Sequence, residues 1–226
     1  MTRLLAAFLA AAFTAFASLA GAQSWPAKPI RIVLQFPPGG STDLVARILG
    51  QALSQSLGQP VLVENKPGAD GAIAGDFVAR AEPDGYTYFL ASNTAMMQVP
   101  LLKKNPPYEA AKSFTPVSLV GRYVYVLVAA PSLPAKNVAE LLAYARANPG
   151  KLNYGSYSGV TQLMHANLRL VSKLDIALIP YKGEAPTVVD IIGGQVQLTF
   201  ATPTSTLAHI REGKLRALAT LLPARF

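Results

Sequence analysis

The chain has 226 residues, 51% of them hydrophobic and 14% charged, which excludes a disordered tail or a collagen-like fibre. Its net charge is +8, yet no basic run exceeds Lys103-Lys104 and few aromatics lie among the basic residues. This argues against a nucleic-acid groove and modestly favours encounter with small anions. The absence of cysteine excludes disulfides, thiol catalysis and cysteine-ligated metal.

Residues 1–22, MTRLLAAFLAAAFTAFASLAGA, form the first predicted element. Arg3 supplies a basic start, Leu4 to Ala17 is almost wholly apolar, and Ala20-Gly21-Ala22 offers the small residues a signal peptidase accepts. The apolar stretch is short for a stable membrane span, so cleavage after Ala22 and export are expected. No later stretch approaches a transmembrane length, and the mature chain is expected to be soluble and periplasmic.

From Ile30 onward apolar runs alternate with helical patterns. Ile30–Phe36, Val61–Glu64 and Tyr86–Ala91 predict buried strands, with helices at Asp43–Leu57 and Ala72–Ala81 between them. In the first helix Leu44, Val45, Ile48, Leu49, Ala52 and Leu53 predict one buried face, and Gly58 predicts its end. A proline-rich segment, Asn105–Pro116, precedes a second series. Val124–Ala130 predicts a strand, and Asn137 to Glu140 has capping-box spacing before a helix at Val138–Asn148. Short strands follow at Leu152–Tyr154, Ile176–Tyr181 and Val196–Phe200, with helices around Thr161–Val171, Thr187–Ile192 and Ser205–Glu212. The alternation predicts an α/β fold in two lobes, residues 23–122 and 123–214, with a cleft between them.

FPPGGSTD, residues 36–43, follows the first strand and opens the first helix. Gly39 and Gly40 admit positive φ and close backbone approach. Ser41 or Thr42 can cap the helix, and its unsatisfied N–H groups make a seat for a carboxylate or phosphate. It is neither a P-loop nor GxGxxG, and from local spacing alone a plain capped turn is the favoured reading over an anion seat. Tyr154-Gly155-Ser156-Tyr157-Ser158-Gly159-Val160-Thr161 repeats the device in the second lobe. Two such turns, one per lobe, can grip one ligand from both sides.

WPAKPIRIVLQFPPGGSTD, LGQPVLVENKPGADG, EPDGYT, NPGKLNYGS, PYKGEAPTVVDIIGGQVQ and GKLRALA, in that order from Trp25 to about Thr220, resemble the substrate-binding proteins of tripartite tricarboxylate transporters, the Bug or TctC-like receptors. The resemblance implies a type II periplasmic binding protein, a Venus flytrap in which each lobe is a mainly parallel sheet flanked by helices. It implies a receptor that captures a small carboxylate (dicarboxylate, tricarboxylate, aromatic acid or amino acid) and delivers it to membrane permease subunits, with no cofactor or metal. By position, the first binding loop is Pro38 to Asp43, comprising Pro38, Gly39, Gly40, Ser41, Thr42 and Asp43. The second is Tyr154 to Thr161, from which Tyr154, Ser156, Ser158, Gly159 and Thr161 are taken. Asp43 either favours the helix dipole or pairs with a ligand amino group.

Asn93 and Thr94, just after the third strand, and Phe200 with Thr202 at the equivalent place in the second lobe, are further candidate contacts. Lys182 is read as a solvated loop lysine that would otherwise attract a distal carboxylate. The sequence departs from the family after the second loop, where SGVTQLMHANLRL carries His165 and Arg169, and His165 is expected on a helix face. In the family the chain returns from the second domain to complete the first. Here residues 215–226 are expected to form the second hinge strand, leaving lobe 1 incomplete with an exposed apolar edge. A non-functional or partner-dependent fragment is therefore the alternative reading.

Ser41, Asp43 and His165 also invite a secreted serine hydrolase. There is no GxSxG elbow and no HExxH metal spacing, and the two histidines lie in separate helical stretches. A receptor, needing only donors for a desolvated carboxylate, is the stronger expectation.

Overall fold

The computed structural model describes residues 25–222, so the expected leader lies outside the described residues. Lobe 1 is a three-stranded parallel sheet in the order β2-β1-β3, with β1 at Ile30–Leu34, β2 at Val61–Asn65 and β3 at Thr87–Leu90. The central strand IRIVL is apolar at four of its five positions, as a strand covered on both faces must be. Helix α1, Ser41–Leu57, crosses from β1 to β2, and Gly58 ends it in the left-handed conformation (φ 68°). Helix α2, Ala72–Ala79, crosses from β2 to β3.

The buried face of α1 differs from the one its apolar periodicity predicts. Ala46 and Gly50 are buried and Leu49 and Leu53 half-buried, whereas Leu44, Val45 and Ile48 are 47%, 40% and 60% exposed. Volume decides the packing: a Cβ on Gly50 would stand 3.5 Å from Val61, so small residues let the helix lie close on the sheet. Beyond β3 the chain makes a π-type turn at Thr94–Gln98, then short helices α3 at Val99–Leu102 and α4 at Ala110–Ser113. Tyr108 anchors this region, its hydroxyl donating to Ala95 O at 2.7 Å.

Lobe 2 is a five-stranded sheet, β6-β5-β7-β4-β8, comprising β4 Val126–Ala129, β5 Leu152–Ser156, β6 Ile176–Pro180, β7 Leu198–Ala201 and β8 Arg216–Thr220. Strands β6, β5 and β7 are parallel; β4 runs against both β7 and β8. Four helices cover it: α5 Val138–Ala147, α6 Gly159–Ser172, α7 Glu184–Ile192 and α8 Pro203–Arg211. One core, around Leu141, Leu152, Tyr154 and Ile176, fills one face, and a second, around Val128, Val188 and Ile191, fills the other.

The expected cap of α5 forms with a shift. Asn137 Oδ1 accepts from the Glu140 N–H at 2.9 Å, while Glu140 reaches back to the Lys136 N–H instead of that of Asn137. The reciprocal capping box belongs to α6, between Ser158 and Thr161. Leu221 N–H donates to Tyr125 O at 3.1 Å, so the segment before β4 and the segment after β8 run side by side.

Candidate functional site

Five strand ends meet between the lobes. Lobe 1 contributes the turn from β1 into α1 and residues Ser92 to Thr94 after β3. Lobe 2 contributes the starts of α6 and α7 after β5 and β6, and Thr202 after β7. Crevices at the carboxyl ends of parallel strands are where such sheets bind ligands, because helix N-termini present unpaired N–H groups there.

The first turn is built to leave its hydroxyls free. Gly40, not Ser41 or Thr42, occupies the N-cap of α1 (φ −85°), and no side chain caps the helix. Of the two glycines only Gly39 uses positive φ (88°). Freed from capping, the Ser41 hydroxyl crosses the cleft to Glu184 Oε2 at 2.8 Å, and Thr42 Oγ1 lies 2.7 Å from the Tyr123 hydroxyl.

Asp43 is turned away from the cleft. It accepts from the Gly39 N–H (3.1 Å), the Asn65 amide (3.0 Å) and Nε and Nη2 of Arg47 (2.9 Å each), so it braces the turn. Burial alone would raise its carboxyl; the hydrogen bonds from Arg47, Asn65 and Gly39 outweigh that and hold it below its usual 3.8. A depressed carboxylate contributes stability that is present above its unfolded value and lost as pH falls through the folded one. Asp43→Asn should thus cost about 1 kcal/mol at neutral pH. In urea titrations the gap from the parent should close as pH falls below about 4.

In the second turn, Thr161 is fully buried. Its hydroxyl oxygen accepts from the N–H groups of Tyr157 (3.1 Å) and Ser158 (3.0 Å) and lies 3.0 Å from Ser156 Oγ. Ser156 and Thr161 hold the turn's shape from behind, while Ser158 lines the cleft. Gly159 packs on Gln98 of lobe 1. Tyr154 and Phe200, expected at the cleft, pack in the core of lobe 2 instead, with ring centroids 6.3 Å apart. Their side chains point into the sheet's core face, which strand ends alone do not reveal.

Of the other expected residues, Gly40, Ser41, Thr42, Asn93 and Thr94 line the cleft. Thr94 is only 2% exposed, and its Oγ1 has no hydrogen-bond partner among the described residues. A buried orphan hydroxyl beside a cleft is a ready ligand contact. Pro38 and Gly39 are exposed on the rim, and Lys182 is exposed outside the cleft, as expected of a solvated loop lysine.

Glu184, which the sequence reading passed over, is the residue that most shapes the site. It is 5% exposed at the first position of α7. Its Oε1 accepts from the Thr202 N–H at 2.5 Å and the Tyr157 hydroxyl at 3.3 Å, and its Oε2 from Ser41. Burial, then the negative charge of Glu184, pushes the Tyr157 phenol well above its usual value, so Tyr157 stays a donor. Among the described residues lining the cleft there is no lysine, arginine or histidine. A carboxylate at a helix start reads as a helix-dipole residue; the apposition of Ser41 and Thr202 that makes it functional is tertiary. Tyr123, Tyr125 and Tyr157 were likewise missed, hidden in a strand-like run and a turn.

The lobes touch around this network. Pro37 packs on Gly183, Gly39 on Ala185, and Gly40 on Glu184. The space left between these walls is about 20 Å³, room for little more than one water molecule.

The hydrolase geometry does not form. Ser41 donates to Glu184 and Asp43 binds Arg47, while His165 is buried in lobe 2 with Nε2 2.9 Å from Ile176 O. No group of three metal-ligating side chains occurs among the described residues.

Residues 45–226 match the family described as the tripartite tricarboxylate transporter family receptor, TctC. The protein BugT of Bordetella pertussis is 41% identical over 227 residues, covering 98% of this chain and 69% of BugT. Similar solved structures include Rpa4515 of R. palustris with adipate (TM-score 0.85, 32% identity) and MatC of Rhodopseudomonas palustris with bound malate (TM-score 0.80, 30% identity). Each is matched over 89% of this chain and over 68% and 69% of its own length, respectively. The chain spans 58 to 69% of the length of six curated relatives.

Proposed function

The chain belongs to the tripartite tricarboxylate transporter receptor family, and from that premise we propose that it captures a small carboxylate between its lobes for delivery to the permease subunits of such a transporter. The family is one of solute-binding receptors, not enzymes. The observation that carries the reading is the convergence of helix starts from both lobes on one cleft, with the orphan hydroxyl of Thr94 beside them. A carboxylate leaving water needs such donors in number, since each unpaired oxygen costs free energy. Because the donors come from both lobes, the ligand favours the closed arrangement over the open one by its differential contacts. The paired segments at Tyr125 and Leu221 are the hinge of that motion. Export through the N-terminal leader places the receptor in the periplasm. Malate and adipate, held by solved relatives, set the first ligand panel.

The test is calorimetric titration of the chain with small carboxylates, alongside the Ser41→Ala/Thr42→Ala double variant. Binding weakened in the variant is expected; the same affinity in both proteins would remove these hydroxyls from the site.

A further inference from the structure

Glu184 sets a chemical demand on whatever enters the cleft. It is the charged side chain on a wall otherwise lined by hydroxyls, the Asn93 amide, aromatic and apolar side chains and backbone, and among the described residues no cation lines the cleft with it. Its position is held. Gly183 before it packs against Pro37, and a Cβ added to Gly40 would stand 3.9 Å from its own Cβ. Three donors from three different elements (Ser41, Tyr157 and Thr202) fix both carboxylate oxygens. A side chain so buried and so held presents a fixed negative charge to a ligand a few ångströms away.

Like charges in a partly desolvated cleft repel far more strongly than in water, and opposite charges attract correspondingly. One carboxylate of a ligand can be seated by the N–H groups at the start of α1 and the hydroxyl of Thr94. A second carboxylate reaching toward α7 meets Glu184 with no cation among the described lining residues to offset it. An ammonium or an amide N–H in that place would instead donate to Glu184, whose Oε2 retains a lone pair beyond the one used by Ser41.

We infer that Glu184 is a specificity-determining residue which makes the cleft select a carboxylic acid bearing a nitrogen donor, ammonium or amide, over a plain dicarboxylate of the same length. This rests on the carboxylate-receptor reading and names the ligand class within it. The selection is made by repulsion as well as attraction: the charge that welcomes the nitrogen also rejects the second carboxylate.

The test uses chain-length-matched probes by calorimetry: succinate against 4-aminobutanoate, and adipate against 6-aminohexanoate, on the full chain and on Glu184→Gln. The native chain is expected to bind the amino acid of at least one pair ten times or more tighter than its dicarboxylate. Glu184→Gln, which keeps the shape and loses the charge, should erase or reverse that preference by gaining affinity for the dicarboxylate. A native chain that prefers the dicarboxylate overturns the inference whether or not the variant folds, and so does a preference that survives in a folded Glu184→Gln. Either result leaves the carboxylate-receptor reading standing. Failure of the native chain to bind any of the four probes, or malate, overturns both readings.

Discussion

Replacing Gly183 by alanine is expected to weaken carboxylate binding about ten- to a hundredfold and to leave the unfolding midpoint almost unchanged. Gly183 has extended backbone angles (φ −174°, ψ 171°) that any residue adopts, so alanine brings no local strain. Its Cβ would instead fall 2.4 Å from Cγ and 2.7 Å from Cδ of Pro37, a rigid ring on the opposite lobe. The three nearest atoms to that Cβ all belong to Pro37, so the clash lies across the cleft and not within lobe 2. Overpacking of this kind costs about 1–3 kcal/mol. The protein escapes that cost by opening its lobes, and a ligand must then repay it. Calorimetry reads the affinity and small-angle scattering reads a larger radius of gyration. Unchanged affinity would mean that closure on Pro37 plays no part in binding.

Thr94→Val should move stability and binding in opposite directions. The hydroxyl is buried without a partner, and removing an unsatisfied polar group while keeping its shape is neutral or stabilising, here by up to about 1 kcal/mol. A hydrogen bond to a charged ligand is worth about 1.5 kcal/mol or more, so affinity for the carboxylate should fall roughly tenfold. Urea unfolding and titration of the same sample check both signs. A variant that is destabilised and binds normally would show that the hydroxyl serves the fold and not the ligand.

The β1 turn and its counterpart after β5 were legible because strand, small residues and helix follow one another within a few positions. Asn93 and Thr94 were legible for the same reason, standing just past a strand end. The buried face of α1 was not. Leu44, Val45 and Ile48 satisfy the helical period as well as the true face does, but the sheet accepts Ala46 and Gly50, and volume does not show in hydrophobic periodicity. Tyr154 and Phe200 lie at the right height in the sheet and on the wrong side of it. A residue's side of a sheet turns on a one-residue shift in register. Ser156 and Thr161 were placed in the correct loop but do their work behind it, as hydrogen-bonded bracing. Glu184 shows most clearly where sequence reading ends. Its meaning comes from three donors brought in by three separate elements, and no spacing along the chain encodes that meeting.

The most direct test of the central claim, that the interlobe cleft seats a small carboxylate, is thermal unfolding of the full chain with and without malate, adipate and their amino-substituted counterparts. A ligand present at about a hundred times its Kd adds about 2.7 kcal/mol to the folded state. For a chain of this size that is a rise of several degrees in the midpoint. One cooperative transition is expected, raised by at least one of these acids in the parent and raised less in Gly183→Ala. A cooperative transition that no carboxylate moves would contradict the claim.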